Sequence, residues 1–481
     1  MSKLEQITIT KKPPYFLIGI MMLGTLITIL NSSSLNIALP LIKADLDIEH
    51  YSTIQWLTTV NMLISGILIP TSAFFITKFK SHHIFIFAMS IFTTGSLFAF
   101  VAPNFSLLIL ARILQASATA ILMPLLMNVM LASFSREERG KAMGIFGMIY
   151  MIAPVLSPLL AGFVMNHFSW RVVFLLITIL SAIPLLLGVI KLKNVLEQKE
   201  TTLDFISLLF SSLGFTLLLL GLNNAEVHDW LSVQVGLLTL IGLIFLALFA
   251  SRQLKIETPL IDLRVYGYSM FALASIISVL IALLIYAPMI IMPFYLQNIR
   301  GYSPLLSGLI PLPGTLILAL AMPITGKWYD RIGARNLAII GFSLVIIGTF
   351  ALSQLTLETV TIYVIFFLAI RSFGFSFILM PMQTNGLNQL PSRLNASGTA
   401  INSTVQQVMG AVGIALFVNL KTSVIASRLP EIEHYQGEAF EIASRQINLD
   451  AINFTFFVSI FLAIAALFCS LFVKKIIPEE D

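Results

Sequence analysis

Charge is what this chain has least of. Only 11% of its 481 residues are charged, where soluble domains carry about a quarter. The cores of its apolar stretches hold two arginines, Arg112 and Arg371, and no aspartate, glutamate or histidine. A soluble globular fold is excluded, and so is any chemistry that needs a carboxylate deep in those stretches. Cysteine is almost missing: the lone Cys469 rules out an internal disulfide and a thiolate metal cluster, and a buried cysteine acts as a small hydrophobe. No glycine-rich phosphate loop is present, and no polar segment is long enough to fold as a nucleotide-hydrolysing domain. Enzymatic chemistry and a bound cofactor therefore have no visible seat.

What is abundant is apolar length. The chain is 58% hydrophobic, with a mean hydropathy of +0.95. A bilayer-spanning helix needs roughly 20 mainly apolar residues, because unpaired backbone groups are not tolerated in lipid. Reading apolar runs between polar breaks predicts spans at 15–40, 52–77, 83–103, 105–132, 140–165, 170–191, 205–223, 231–250, 269–297, 303–327, 335–356, 359–385, 396–420 and 451–475. The pattern is all-α and polytopic, with an even count that puts both termini on one side. The first run is too long for a signal-peptide core and has no small-residue cleavage site, so it reads as a retained helix.

Cytoplasmic loops retain lysine and arginine. With the N-terminus inside, 20 of the 28 basic residues fall on the cytoplasmic side, among them Lys3, Lys11, Lys12, Lys78, Arg139, Lys141, Arg252, Arg331, Arg335 and Lys475. Lys43, Arg171, Arg300, Lys421, Arg428 and Arg445 fall outside. The net charge of +5 is thus spread over many short loops, which accounts for it without a nucleic-acid partner. Residues 421–450 form the longest hydrophilic loop, with room for a short amphipathic helix.

Polar breaks at 191–204 and 251–266 bracket two uncharged spans. They divide the chain into a six-helix bundle over 1–192, a linker with an inserted helix pair over 193–266, and a second six-helix bundle over 267–481. Internal repetition supports the division. Arg112 precedes Ile121-Leu122-Met123-Pro124, and Arg371 precedes Ile378-Leu379-Met380-Pro381, with spacings that differ by two residues. Such halves enclose a cavity within one chain, so a monomer suffices. A receptor or scaffold is disfavoured, since hardly any extramembrane chain exists to signal.

Candidate site residues follow from cost. Arginine near the bilayer centre costs about 2.5–3.5 kcal/mol and must face the bundle interior. Arg112 and Arg371 are therefore candidates for coupling or gating, or else structural residues bound to carbonyls. Pro154 and Pro158, four apart, remove two backbone donors from one helix and bend it. Amides and phenols within the spans, Asn31, Asn36, Gln55, Asn61, Gln115, Tyr150, Tyr295, Gln297, Gln383, Asn385, Asn402, Gln406 and Gln407, either join helices or line a cavity. Mixed with Met and Phe, they suit bulky uncharged or weakly amphiphilic compounds in several poses.

Several motifs together resemble the major facilitator superfamily, and more narrowly its fourteen-helix drug/proton antiporter branch, which includes bacterial multidrug and lincosamide-type exporters. Gly326-Lys-Trp-Tyr-Asp330-Arg331-Ile-Gly333-Ala-Arg335 resembles the cytoplasmic loop motif, in which Asp330 would act as a latch between halves. The corresponding first-half segment from Ala73 to His82 has lost both glycines and the aspartate. Leu110-Ala-Arg112-Ile-Leu-Gln115-Ala116 resembles the fourth-helix motif, and Gly147 through Ala153-Pro154, Ser157-Pro158 and Gly162 the fifth-helix antiporter motif. Leu35-Asn36-Ile-Ala38-Leu39-Pro40, Gln55-Trp56 and Ser169-Trp170-Arg171 match further patterns of the branch. The resemblance implies alternating access, a small-molecule amphiphilic substrate, export across the cytoplasmic membrane of a bacterium, and the proton as coupling ion. One position departs: Asn31 stands where many members carry a first-helix aspartate, and an amide holds no titratable proton. An alternative reading makes the substrate an endogenous anionic amphiphile, a fatty acid, lipid or peptide, with the two arginines as counter-charges.

Overall fold

The computed structural model describes residues 13–224, 232–432 and 434–474; Lys3, Lys11, Lys12 and Lys475 lie outside the described residues. Among the described residues, fourteen helices are long and apolar enough to cross a membrane. They are α1 Tyr15–Asp45, α2 Thr53–Lys78, α3 Ser81–Val101, α4 Phe105–Ser133, α5 Arg139–His167, α6 Trp170–Lys191, α7 Phe205–Asn224, α8 Val233–Gln253, α9 Ser269–Ile299, α10 Leu306–Ile332, α11 Ala334–Leu352, α12 Thr361–Asn388, α13 Ser392–Ile432 and α14 Glu438–Ser470. Each expected span is met by one helix, in order.

The helices run further than hydropathy alone suggests. Their ends take in Asp45, His82, His83, His167, Asp330 and Asp450, because backbone hydrogen bonding continues into water once a helix is nucleated. The expected loop over 421–450 is a correction: α13 continues to Ile432 and α14 begins at Glu438. Arg428 clamps the two extensions, pairing with Asp450 at 2.5 Å and Glu431 at 3.4 Å. A second cluster joins the C-terminal ends of α1 and α3 to the start of α6. Arg171 bonds Asp45 and, at 3.0 Å, the Ala102 carbonyl, while the Trp170 indole donates to Asp45 at 3.2 Å.

Close packing relies on small residues where hydrocarbon gives helices no other reason to associate. A Cβ on Gly242 would lie 2.6 Å from the Leu218 backbone nitrogen, so α7 and α8 touch backbone to backbone. Their lower ends are tied by Arg252, which donates to both oxygens of Asp204 at 2.6 and 3.0 Å. Phe215, Leu218 and Leu219 of α7 pack in one cluster with Val408, Ala411 and Ala415 of α13, and Met62 and Leu63 of α2 join its edge. α7 and α8 thus lie along the seam between α2 and α13.

α12 is broken. Pro381 cannot donate to Phe377, and the helix stops at Ser376 and restarts at Leu379; such a loss of one backbone donor is a recognised cause of a break. The freed Ser376 carbonyl accepts from the Thr325 hydroxyl at 2.6 Å. α5, by contrast, stays helical through Pro154 and Pro158.

Candidate functional site

The two repeat tetrapeptides meet in space. Met123 of α4 and Met380 of α12 line one central cavity with Met127, Phe146 and Tyr150, and with Gln383, Ser403 and Gln406. Four helices contribute, each through a pair three or four residues apart, the spacing that puts side chains on one helix face. α4 supplies Met123 and Met127, α5 Phe146 and Tyr150, α12 Met380 and Gln383, α13 Ser403 and Gln406. Gly147 makes room, since a Cβ there would meet Met380 Cγ at 2.6 Å. About 20 Å³ of the cavity can hold a water centre, against the roughly 300–1,000 Å³ of formed small-molecule sites. It is nearly collapsed, and admitting a ligand requires its helices to part.

One side of this cavity is closed by ties between α1–α6 and α9–α14. The Asn128 amide donates to the Thr399 hydroxyl at 2.5 Å and to the Pro124 carbonyl at 2.9 Å. A turn further along, Arg139 donates to the Asn388 amide oxygen at 2.9 Å, and Asn388 in turn to the Tyr329 hydroxyl at 3.2 Å. Last comes Asp330, which accepts from the backbone N–H groups of Gly140 at 2.8 Å and Lys141 at 2.9 Å. These are free donors of the first turn of α5, where the helix dipole favours a carboxylate. Glycine is required for this approach. A Cβ on Gly326 would be 2.2 Å from the Gly140 carbonyl, and one on Gly144 2.4 Å from that of Met322. Gly333 closes the turn to α11 at φ 80°, a conformation that costs other residues about 1–2 kcal/mol. Arg331 and Arg335 are exposed beside it.

Both buried arginines are held by uncharged partners. Arg112, 2% exposed, donates to the Leu57 carbonyl of α2 at 3.2 Å and to Gln115 at 2.8 Å; Gln115 passes the chain on to Ser96 at 3.1 Å. Arg371, 4% exposed, donates to the Leu284 carbonyl of α9 at 2.5 Å and to the Thr349 hydroxyl at 3.1 Å, and lies over the Phe375 ring. Among the described residues neither forms an ion pair. The hydroxyls come from Gly95-Ser96 in α3 and Gly348-Thr349 in α11. The two glycines admit the arginine helices, with Cβ positions 2.9 Å from the Ala111 carbonyl and 2.8 Å from Arg371 Cβ. This glycine–hydroxyl dipeptide on the helix before each arginine helix is a repeat that sequence reading missed, because the hydroxyl lies 16 residues ahead of Arg112 and 22 ahead of Arg371.

Of the sequence candidates, the structure brings together Tyr150, Gln383 and Gln406. Gln115 belongs to Arg112. Tyr295 and Gln297 lie elsewhere, in a π-turn ending α9, where the Tyr295 hydroxyl donates to the Thr356 carbonyl at 2.9 Å and Gln297 to Ser307 at 3.0 Å. Asn36 and Gln55 are exposed on the ends of α1 and α2 away from Asp330, Asn61 is half-buried on α2, and Asn402 is buried on α13. Gln407 is half-buried. Asn31 is 1% exposed with neither amide atom partnered in the protein, and the Asn385 amide nitrogen is likewise unpartnered. Pro154 is exposed on α5.

Comparison with known proteins gives consistent matches. The family model for the Major Facilitator Superfamily matches residues 21–414. The uncharacterized MFS-type transporter YhcA of Bacillus subtilis is 39% identical over 412 residues, 86% of this chain and 77% of that protein. The lincomycin resistance protein LmrB of Listeria innocua is 34% identical over 462 residues, 96% of this chain and 97% of that protein. The solved structure of the proton:xylose symporter XylE shares the fold, with a TM-score of 0.61 at 13% identity and 96% of each chain covered.

Proposed function

The chain belongs to the major facilitator superfamily, as a multi-pass membrane transporter and not an enzyme, and on that premise we propose that it exports uncharged or weakly amphiphilic hydrophobic compounds, antibiotics among them. The central cavity carries this reading. Its walls are thioether, aromatic ring, hydroxyl and amide, which adapt to varied apolar shapes and offer no fixed charge to an ion. The similarity to lincomycin resistance proteins supports the same direction.

The protein works by alternating access between two six-helix bundles, 1–192 and 267–481, with 193–266 as an inserted element. Both termini face the cytoplasm of a bacterium, and the chain acts as a monomer in the cytoplasmic membrane. In that orientation the ladder from Asn128 to Asp330 is a closed cytoplasmic gate. The guanidinium groups of Arg112 and Arg371 are committed to carbonyls and neutral side chains, which argues against an anionic substrate held by them.

The driving ion is the proton, taken up at a helix end and not at Asn31. Of the acids at such ends, Asp330 accepts across the gate from Gly140 and Lys141 of α5. Asp330 is placed where protonation would act on transport, since a neutral carboxyl accepts more weakly from Gly140 and Lys141 and would loosen the gate. The test is transport of an apolar drug without ionisable groups and a permanently monocationic dye into proteoliposomes under an imposed pH gradient, with an internal pH probe. Drug-dependent proton movement that Asp330→Asn abolishes is the expected result. Drug transport without proton movement would overturn the coupling; absence of drug transport would overturn the exporter reading.

A further inference from the structure

We propose that Gln383 is the specificity-determining residue of the central cavity and that it reads the edge of a lactam, imide or primary carboxamide, where an N–H and a C=O point the same way. This rests on the reading of that cavity as the substrate site. Gln383 is 3% exposed, and its amide makes no hydrogen bond to the protein; its oxygen is fully buried and unpartnered. Two buried amides outside the cavity are matched, and the unmatched Asn31 and Asn385 do not line it. Gln115 accepts from Arg112 and donates to Ser96, and Asn388 accepts from Arg139 and donates to Tyr329. Leaving a buried polar group unmatched is costly, and native proteins rarely do so without a functional reason.

The position of Gln383 gives that reason. Met380 and Gln383, three apart in the helical segment that restarts at Leu379, share one face, and Gln383 lines the cavity beside Met123, Met127, Phe146 and Tyr150. A side-chain amide carries one acceptor and two donors on a rigid plane, a geometry that pairs with a second cis-amide edge through two parallel bonds, as glutamine does with adenine. No ionised side chain lines the cavity, so a charged ligand would be desolvated there without compensation. The flat remainder of such a ligand would lie between methionine sulfurs and the Phe146 ring, contacts that thioethers favour.

The experiment uses purified full-length protein in lipid nanodiscs and measures binding of 4-phenyl-2-quinolone and 4-phenylcoumarin. These are a lactam and a lactone that differ in N–H against O. Losing one bond of the pair and facing the bare amide oxygen with a ring oxygen should weaken the lactone at least about tenfold. Gln383→Met should abolish the preference, giving the two compounds matching affinities, and an unchanged thermal unfolding midpoint shows that the variant is folded. The wild-type ratio needs no variant. Equal affinities in the wild type, with Phe146→Ala weakening both, would overturn the role of Gln383 and leave the cavity as the site. Binding of neither compound, or binding indifferent to both substitutions, would overturn the inference together with the site reading.

Discussion

Arg112 and Arg371 occupy the least favourable place for charge in this chain, and each is stabilised through a backbone carbonyl of a neighbouring helix. Arg112→Met would leave the Leu57 carbonyl and the Gln115 oxygen without their donor, a loss of about 1–3 kcal/mol. Thermal unfolding should fall accordingly, and transport of anionic and uncharged compounds should decline in parallel. A loss confined to anions would make this arginine a substrate ligand. Asp204 is a second residue whose role is fixed by its partner. The Arg252 guanidinium holds its carboxyl down to about 2, against the opposing effect of burial and with help from Ser207. A lowered folded pKa stabilises above the unfolded value, here 3.8, and that contribution is lost as pH falls toward about 2. The stability deficit of Asp204→Asn should therefore be constant between about pH 5 and 8 and shrink below about pH 4, as followed by thermal unfolding across pH. A carboxyl held this low is ionised at neutral pH, which weighs against Asp204 as the carrier in the proposed proton coupling.

Among elements, the α5–α10 contact is the one that function would feel most. Gly140, Gly144 and Gly326 bring the two backbones together, and the space holds no methyl group. Overpacking of this kind costs about 1–3 kcal/mol, which shifts a balanced two-state equilibrium by about 5- to 150-fold. Gly144→Ala should therefore open the Asp330 end, seen as faster labelling of an introduced cysteine at Asn388→Cys and as reduced transport. Unchanged labelling would mean that the helices slide without parting. Gly326 was legible in the loop motif and Pro381 in the repeat, whereas Gly140 and Gly144 belonged to no motif. The partners of these glycines were not legible, because a glycine in a sequence shows only that a Cβ is missing, while the carbonyl that fills its place belongs to another helix.

Across the whole molecule, three tiers of polar ties hold α1–α6 against α9–α14 on one side of the cavity: Asn128 with Thr399, Arg139 with Asn388, and Asp330 with the start of α5. Transport by alternating access must break all of them in each cycle. A disulfide between Asn128→Cys and Thr399→Cys, in a background with Cys469→Ser, should abolish transport, and reduction should restore it. Transport that survives a complete crosslink would rule out separation of these helices. A substrate must part the same tiers, or the helices above them, to enter a cavity that now admits about 20 Å³.

By itself the sequence determined the number, order and approximate limits of the spans, the all-α class, and the resemblance to a transporter family. Those follow from local hydropathy and short motifs, and every helix in lipid must satisfy its own backbone. Tertiary structure alone decided which polar residues act together. Tyr150, Gln383 and Gln406 meet, while Tyr295 and Gln297 complete the end of α9, although all five read alike as polar residues in apolar runs. A side chain's hydrogen-bond partner is set by which helix faces cross, and packing sets that across hundreds of residues of separation. The same holds for the extensions of α13 and α14 between 421 and 450, where an ion pair between Arg428 and Asp450 joins helices that hydropathy reads as loop.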